Sequence, residues 1–203
     1  MLLGGEPLLN PDLIDIMSIS RDELKNTVIY LYTNGLCFPR MEDVFWETCN
    51  KLNINIRITQ YPVNFDYTKW ERYAADKGVM VSYENPEPEK TTIKTPLVEK
   101  DGLNPYKNYI KCYHANHCIV LRDGRLYTCP FSAWIDILNR YYDTKFPELI
   151  RNSISIYDVD DKSIVEEFLR RPNPLCSFCH IDHIQYEIPW DVSKRKREEW
   201  IER

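Results

Sequence analysis

Apolar and polar positions change period several times along the first ninety residues, and each change marks an element. Val28-Ile-Tyr-Leu-Tyr is a short apolar run of the kind buried in a parallel sheet, closed by the turn residues Thr33-Asn34-Gly35. Ile54 to Thr59 alternates apolar and polar side chains and predicts a second strand, and Gly78 to Tyr83 a third. Between them, Met41 to Lys51 and Tyr67 to Lys77 carry helical spacing. Asn10 as N-cap, Pro11 in the first helical position and Asp12 beside the helix dipole predict a helix running to about Leu24. Ahead of it, Met1 to Leu3 reads as the end of a strand. The alternation β-α-β-α-β-α-β with short connections calls for a parallel sheet with helices outside it, an α/β fold.

The stretch Asn85 to Lys90, rich in Pro and Glu, is a surface break. Two domains are expected, residues 1–95 and 96–203. The second is organised by Asp123-Gly124, the strongest short hairpin signal available, with Cys-Ile-Val-Leu-Arg before it and Arg-Leu-Tyr-Thr-Cys after it. A two-residue turn there sets Arg122 against Arg125, Leu121 against Leu126 and Cys118 against Cys129, the last pair about 5.5 Å apart at Cα. Further on come a helix over Ala133–Tyr142, an amphipathic helix over Ser163–Arg170, a turn at Cys176 and a charged helix over Val192–Glu202.

Composition narrows the function. A net charge of −5 argues against general nucleic-acid binding, which needs a basic surface. No apolar run approaches the length of a membrane span, and the first residues lack the basic start and cleavage site of a signal peptide. The expectation is a cytoplasmic protein without a membrane partner. Seven cysteines in such a setting point to metal ligation rather than disulfides.

Five of the seven, Cys112, Cys118, Cys129, Cys176 and Cys179, lie in two short pieces. The hairpin supplies one pair, Cys176-x2-Cys179 a second with chelating spacing, and Cys112 is able to replace one of the four. An iron–sulfur cluster prefers all-thiolate ligation, and the chain has enough thiols without using a histidine. Zinc is the rival, because His114, His117, His180 and His183 lie among the cysteines and zinc accepts imidazole.

Gly4-Gly5-Glu6-Pro7, at the mouth of a strand and before a capped helix, resembles the GGEP motif of radical S-adenosylmethionine (SAM) enzymes. Thr33-Asn34-Gly35 ends the next strand, as commonly in that family. Cys112, Gly124 and Cys129 resemble the opening of the family's auxiliary cluster domain, and Cys176-x2-Cys179 would complete its shortened form, the twitch domain; a full SPASM domain needs further cysteines after Cys179. The resemblance implies a partial (β/α) barrel lacking its first strand, followed by a small domain holding one auxiliary 4Fe–4S cluster on Cys112 or Cys118 with Cys129, Cys176 and Cys179. It implies that Gly4, Gly5, Glu6, Pro7 and Asn34, with Thr59 and Gln60 two strands on, face SAM. It also implies an oxidoreductase acting on a carbohydrate or a peptide, with a reducing donor such as flavodoxin or ferredoxin.

One departure is plain. The family builds its catalytic cluster on C-x3-C-x2-C upstream of the glycine pair, and no such spacing occurs in these 203 residues. The first strand and its loop are expected to be missing, and the chain alone is expected not to cleave SAM. The alternative is a non-catalytic module held together by zinc or a lone iron–sulfur cluster.

Overall fold

A computed structural model describes residues 1–85, 87–88, 91–100 and 102–202. Positions 86, 89 and 90 of the expected surface break lie outside the described residues. The chain forms two compact units, Met1–Lys90 and Thr91–Arg203. Among the described residues, no helix is long and apolar enough to cross a membrane.

In the first unit, helix α1 (Leu13–Glu23), strand β1 (Ile29–Thr33), helix α2 (Asp43–Lys51), strand β2 (Ile54–Ile58), helix α3 (Tyr67–Asp76) and strand β3 (Val81–Tyr83) alternate along the chain. The three strands form one parallel sheet in the order β1-β2-β3, with Leu31 beside Ile56 and Ile56 beside Val81. Leu2 continues the sheet on the far side of β1. Its N–H donates to Tyr30 O at 2.8 Å, and its carbonyl accepts from Tyr32 N at 3.0 Å. The sheet is open; among the described residues no strand closes it into a barrel.

Strand alternation decides what each face does. Ile29, Leu31, Ile54, Ile56 and Ile58 are buried, and they join Met17, Phe38, Phe45, Trp46 and Ala74 in one core. Tyr30, Tyr32, Asn55 and Arg57 point the other way and are only half-buried. The Arg57 guanidinium lies 5.9 Å from both tyrosine rings and pairs with Glu84. A parallel strand usually reads as continuously apolar because both faces are covered. Here one face is polar and aromatic.

The second unit begins with β4 (Thr91–Lys94) and β5 (Leu97–Val98), followed by two short helices, α4 (Pro105–Lys111) and α5 (Tyr113–His117). The hairpin follows, β6 (Val120–Arg122) and β7 (Arg125–Tyr127), in the register that the Asp-Gly turn dictates. Asp123 and Gly124 take φ of 50° and 68°, the left-handed pair of a type I′ turn. Helix α6 (Pro130–Tyr142) leads through α7 (Leu149–Asn152) to β8 (Ser153–Ser155), which adds a third antiparallel strand beside β7. After α8 (Lys162–Leu169), strand β9 (Gln185–Pro189) pairs with β4, and β10 (Ile201–Glu202) pairs with β5. Leu97, Ile135, Phe146, Leu175, Cys179, Ile181 and Ile201 form a core cluster.

The charged helix expected over Val192–Glu202 does not form. The backbone there has a single 3-10 turn at Arg197–Glu199 and ends in β10. Four cations in succession, Lys194 to Arg197, repel along a helix. The Glu199 carboxylate instead folds back to accept from Ser193 Oγ at 2.6 Å, Lys194 N at 2.9 Å and Lys196 N at 3.2 Å. Arg195 adopts φ +55°, and Ile201 is buried beside Leu97.

Candidate metal centre

The second unit brings four of the five candidate cysteines to one place. Cys112 sits at the junction of α4 and α5, Cys129 is the N-cap of α6, and Cys176 and Cys179 belong to the 3-10 turn Pro174–Phe178 and the residue after it. All four line one small cavity of about 20 Å3. Its remaining wall includes His114, Ala115, Phe131 and Leu175, and no lysine or arginine lines it.

Amide side chains hold this loop in shape. Asn108, buried in α4, donates from Nδ2 to the carbonyls of Cys176 at 2.8 Å and Cys179 at 2.7 Å. Asn173 accepts from Leu175 N at 2.9 Å and donates to Thr128 Oγ1 at 2.6 Å. Buried polar groups cost free energy unless bonded, so these contacts are part of what makes the turn affordable. At the mouth of α6, Ser132 N donates to the Cys129 sulfur at 3.5 Å, and its hydroxyl donates to Cys129 O at 2.8 Å. Cys129 thereby stands at the positive end of a helix dipole.

Burial dominates the thiols' chemistry. It pushes Cys129, Cys176 and Cys179 up, and their mutual proximity and that of Cys112 push the same way. Cys176 is raised to about 12, and Cys179 well above its ordinary value. Without a cation these groups stay protonated at neutral pH, and a bound metal ion reverses that. All seven cysteines are free of disulfides.

Donor spacing can be compared with what a single ion needs. A tetrahedral zinc with bonds of about 2.3 Å needs sulfurs about 3.8 Å apart. Among the described residues, the group whose donor atoms all lie within 4.8 Å of one another is His180, His183 and Glu202, and no three thiols gather so tightly.

Cys118 behaves differently. It caps the C-terminal end of α5 rather than extending β6, and the hairpin ladder stops at Val120 opposite Tyr127. The expected Cys118–Cys129 pairing across the ribbon is absent, and Cys118 does not line the cavity. Cys112 takes its place. Cys49 is a core residue of the first unit, pushed to about 12 by burial. His114 has a buried Nδ1 with no hydrogen-bond partner among the described residues.

In the first unit, the glycine pair and the Thr-Asn-Gly turn meet through Glu6. Its Oε1 accepts from Thr33 Oγ1 at 2.6 Å and Leu8 N at 3.1 Å, and Oε2 accepts from Asn34 N at 3.0 Å. Pro7 then opens a 3-10 turn to Leu9. Gly4 and Gly5 adopt φ of 144° and 53°, yet an added Cβ would meet no atom within 4 Å. Glycine is needed there for the backbone conformation, and the backbone is left open to approach. Thr59 follows β2 and donates its N–H to Thr33 O at 2.9 Å; Gln60 is the next residue, and both are half-buried. Gly4 to Pro7, Asn34 and Thr59 thus gather at the C-terminal end of the parallel strands.

Sequence reasoning missed Asn108, Asn173 and the Glu202 carboxylate. Asn104-Pro105 and Asn173-Pro174 carry the same cap-then-proline signal as Asn10-Pro11 and announce the two turns concerned. Compared with known proteins, the chain matches no protein-family model, and no curated protein matches it.

Proposed function

We propose that this chain is a radical SAM-type iron–sulfur oxidoreductase, or a part of one, that holds an auxiliary 4Fe–4S cluster on Cys112, Cys129, Cys176 and Cys179. The observation that carries the reading is four thiols from three separate segments around one cavity that, among the described residues, no lysine, arginine or carboxylate lines. The orphaned His114 Nδ1 on the cavity wall fits a site whose partner is an acceptor atom of such a core.

When bound, the cluster supplies one-electron chemistry. The protein's own residues set its surroundings: Asn108 fixes the two carbonyls of the Cys176–Cys179 turn, Ser132 N–H favours the Cys129 thiolate, and His114 brings a buried, unpartnered Nδ1 to the cavity wall. In the first unit, Gly4 and Gly5 offer exposed backbone to the SAM amino acid moiety, and Glu6, Asn34, Thr59 and Gln60 frame it. Ligands sit at the C-terminal ends of strands in parallel α/β sheets. The half-buried Tyr30, Tyr32 and Arg57 face suits a polar substrate, a carbohydrate or a peptide. With no C-x3-C-x2-C among its residues, the chain by itself is proposed not to cleave SAM reductively.

Anaerobic reconstitution tests the reading. A brown protein with about four iron and about four sulfide per chain is expected. Cys112→Ser should lose most of that iron, whereas Cys118→Ser should keep it. A colourless protein holding one zinc on the thiols would replace this reading with that of a structural module.

A further inference from the structure

His180, His183 and Glu202 stand apart from the thiol cavity, none of them lining it. His180 follows Cys179, His183 ends the 3-10 turn Ile181–His183, and Glu202 is the second residue of β10. Two backbone contacts bring these segments together: β10 pairs with β5, and Leu97 of β5 bridges to Cys179. His180 N also donates to Pro96 O at 2.9 Å.

The donor atoms converge. His180 Nδ1 lies 2.6 Å from Glu202 Oε2, and His183 Nδ1 lies 2.9 Å from Oε1 and 3.2 Å from Oε2. The rings stack with centroids 3.5 Å apart. One imidazole is enough to hold a carboxylate, and here two are layered so that both Nδ1 atoms reach the same one. Donors bound to zinc at about 2.1 Å stand roughly 3 to 3.4 Å from each other; the His183 contacts lie at or just under that spacing, and the shorter 2.6 Å His180 contact is a hydrogen bond that a bound ion would replace. Glu202 and His183 are open to solvent, with side-chain exposures of 37% and 52%, which leaves an entry path and room for water.

We propose that His180, His183 and Glu202 form a second metal site, for a borderline divalent transition-metal ion such as zinc, with at least one position left to solvent. Two imidazoles and one carboxylate are a ligand set that zinc accepts and that an iron–sulfur cluster does not prefer. Bound there, the ion ties β10 to the turn that carries Cys176 and Cys179. The proposal does not depend on what the thiols hold.

The test uses the full chain in metal-free buffer, titrated with Co(II) and then displaced with Zn(II). Cobalt on thiolates gives intense charge-transfer absorption, and cobalt on nitrogen and oxygen ligands gives only weak ligand-field bands. The expected result is an equivalent of the second kind, displaced by zinc. Glu202→Gln and His183→Asn should each weaken it at least tenfold, whereas any thiolate signal and the far-ultraviolet dichroism stay unchanged. His183 lies outside the core clusters, so its variant decides the matter should Glu202→Gln fail to fold. Absence of the nitrogen–oxygen type of binding, or binding undiminished in both variants, overturns the proposal.

Discussion

Two side chains show what single residues contribute in this protein. His114 has one ring nitrogen buried without a partner, on the wall of the thiol cavity. A hydrogen bond to a cluster stabilises its more negative, reduced form and so raises its potential. In the reconstituted protein, His114→Leu should therefore lower the midpoint potential in a redox titration followed by electron paramagnetic resonance, with iron content unchanged. An unmoved potential would make His114 mere wall. Arg122 is the second case. It grips Asp136 through Nη1 at 2.6 Å and Nη2 at 3.1 Å, and its guanidinium lies 4.4 Å from the centre of the Trp134 ring. Both partners are mostly shielded, at 16% and 13% side-chain exposure. The Arg122 hydrogen bond and charge hold the Asp136 carboxyl below the usual carboxylate range. Its folded value is depressed, so its stabilisation is complete above about pH 5 and is lost progressively as pH falls through the unfolded and then the folded value. Asp136→Ala should cost about 2 kcal/mol at pH 7 by urea unfolding, less than for a fully buried pair. The gap to the native protein should narrow toward pH 3.

Turns and strands differ in how openly the residues announce them. Ile54 to Ile58 was legible because its side chains alternate, and the hairpin because Asp-Gly admits few other conformations. Its length was not legible. Cys112 opens α5, and Cys129-Pro130 opens α6, so helices claim both ends of the ribbon before Cys118 reaches Cys129. Strand β8 is three residues, Ser-Ile-Ser, too short to show a period, and exists only because β7 offers it an edge. That Cys112 and not Cys118 lines the thiol cavity was for the same reason beyond the sequence. Glycines test the local geometry. An added Cβ at Gly35 would sit 2.9 Å from the Phe38 ring, which is buried and unable to yield. At Gly124 the obstacle is Tyr157, an exposed ring free to swing away, and at Gly5 there is none. Gly35→Ala should thus cost about 2 to 3 kcal/mol, with Gly5→Ala and Gly124→Ala near 1 kcal/mol from backbone strain alone. Chemical denaturation of the three variants checks the order, and an equal cost at all three would contradict it.

The two units differ in what their interiors are made of. Among the described residues, Met1–Lys90 gathers fifteen buried residues into one cluster, and Trp70, partly buried against it, stacks on Trp46 with ring centres 6.2 Å apart. Among the described residues of Thr91–Arg203 one cluster holds seven, one of them Cys179, beside a cavity lined in part by four thiols and whose loop is held by two buried asparagines. A small core of that kind gains stability from a bound inorganic centre, because the unfolded chain offers no preformed site and binding energy becomes folding energy. Stripping metal with a chelator should therefore speed hydrogen exchange in α4, in the Pro174–Phe178 turn and at the start of α6, by tenfold or more, equivalent to about 1.4 kcal/mol of local stability. The amides of β1 and β2, which pack one face on the core of the first unit, should exchange at the same rate with and without metal. Equal protection of the thiol-bearing segments in both states would mean that Cys112, Cys129, Cys176 and Cys179 are ordinary core thiols, and the cluster reading would fall with them.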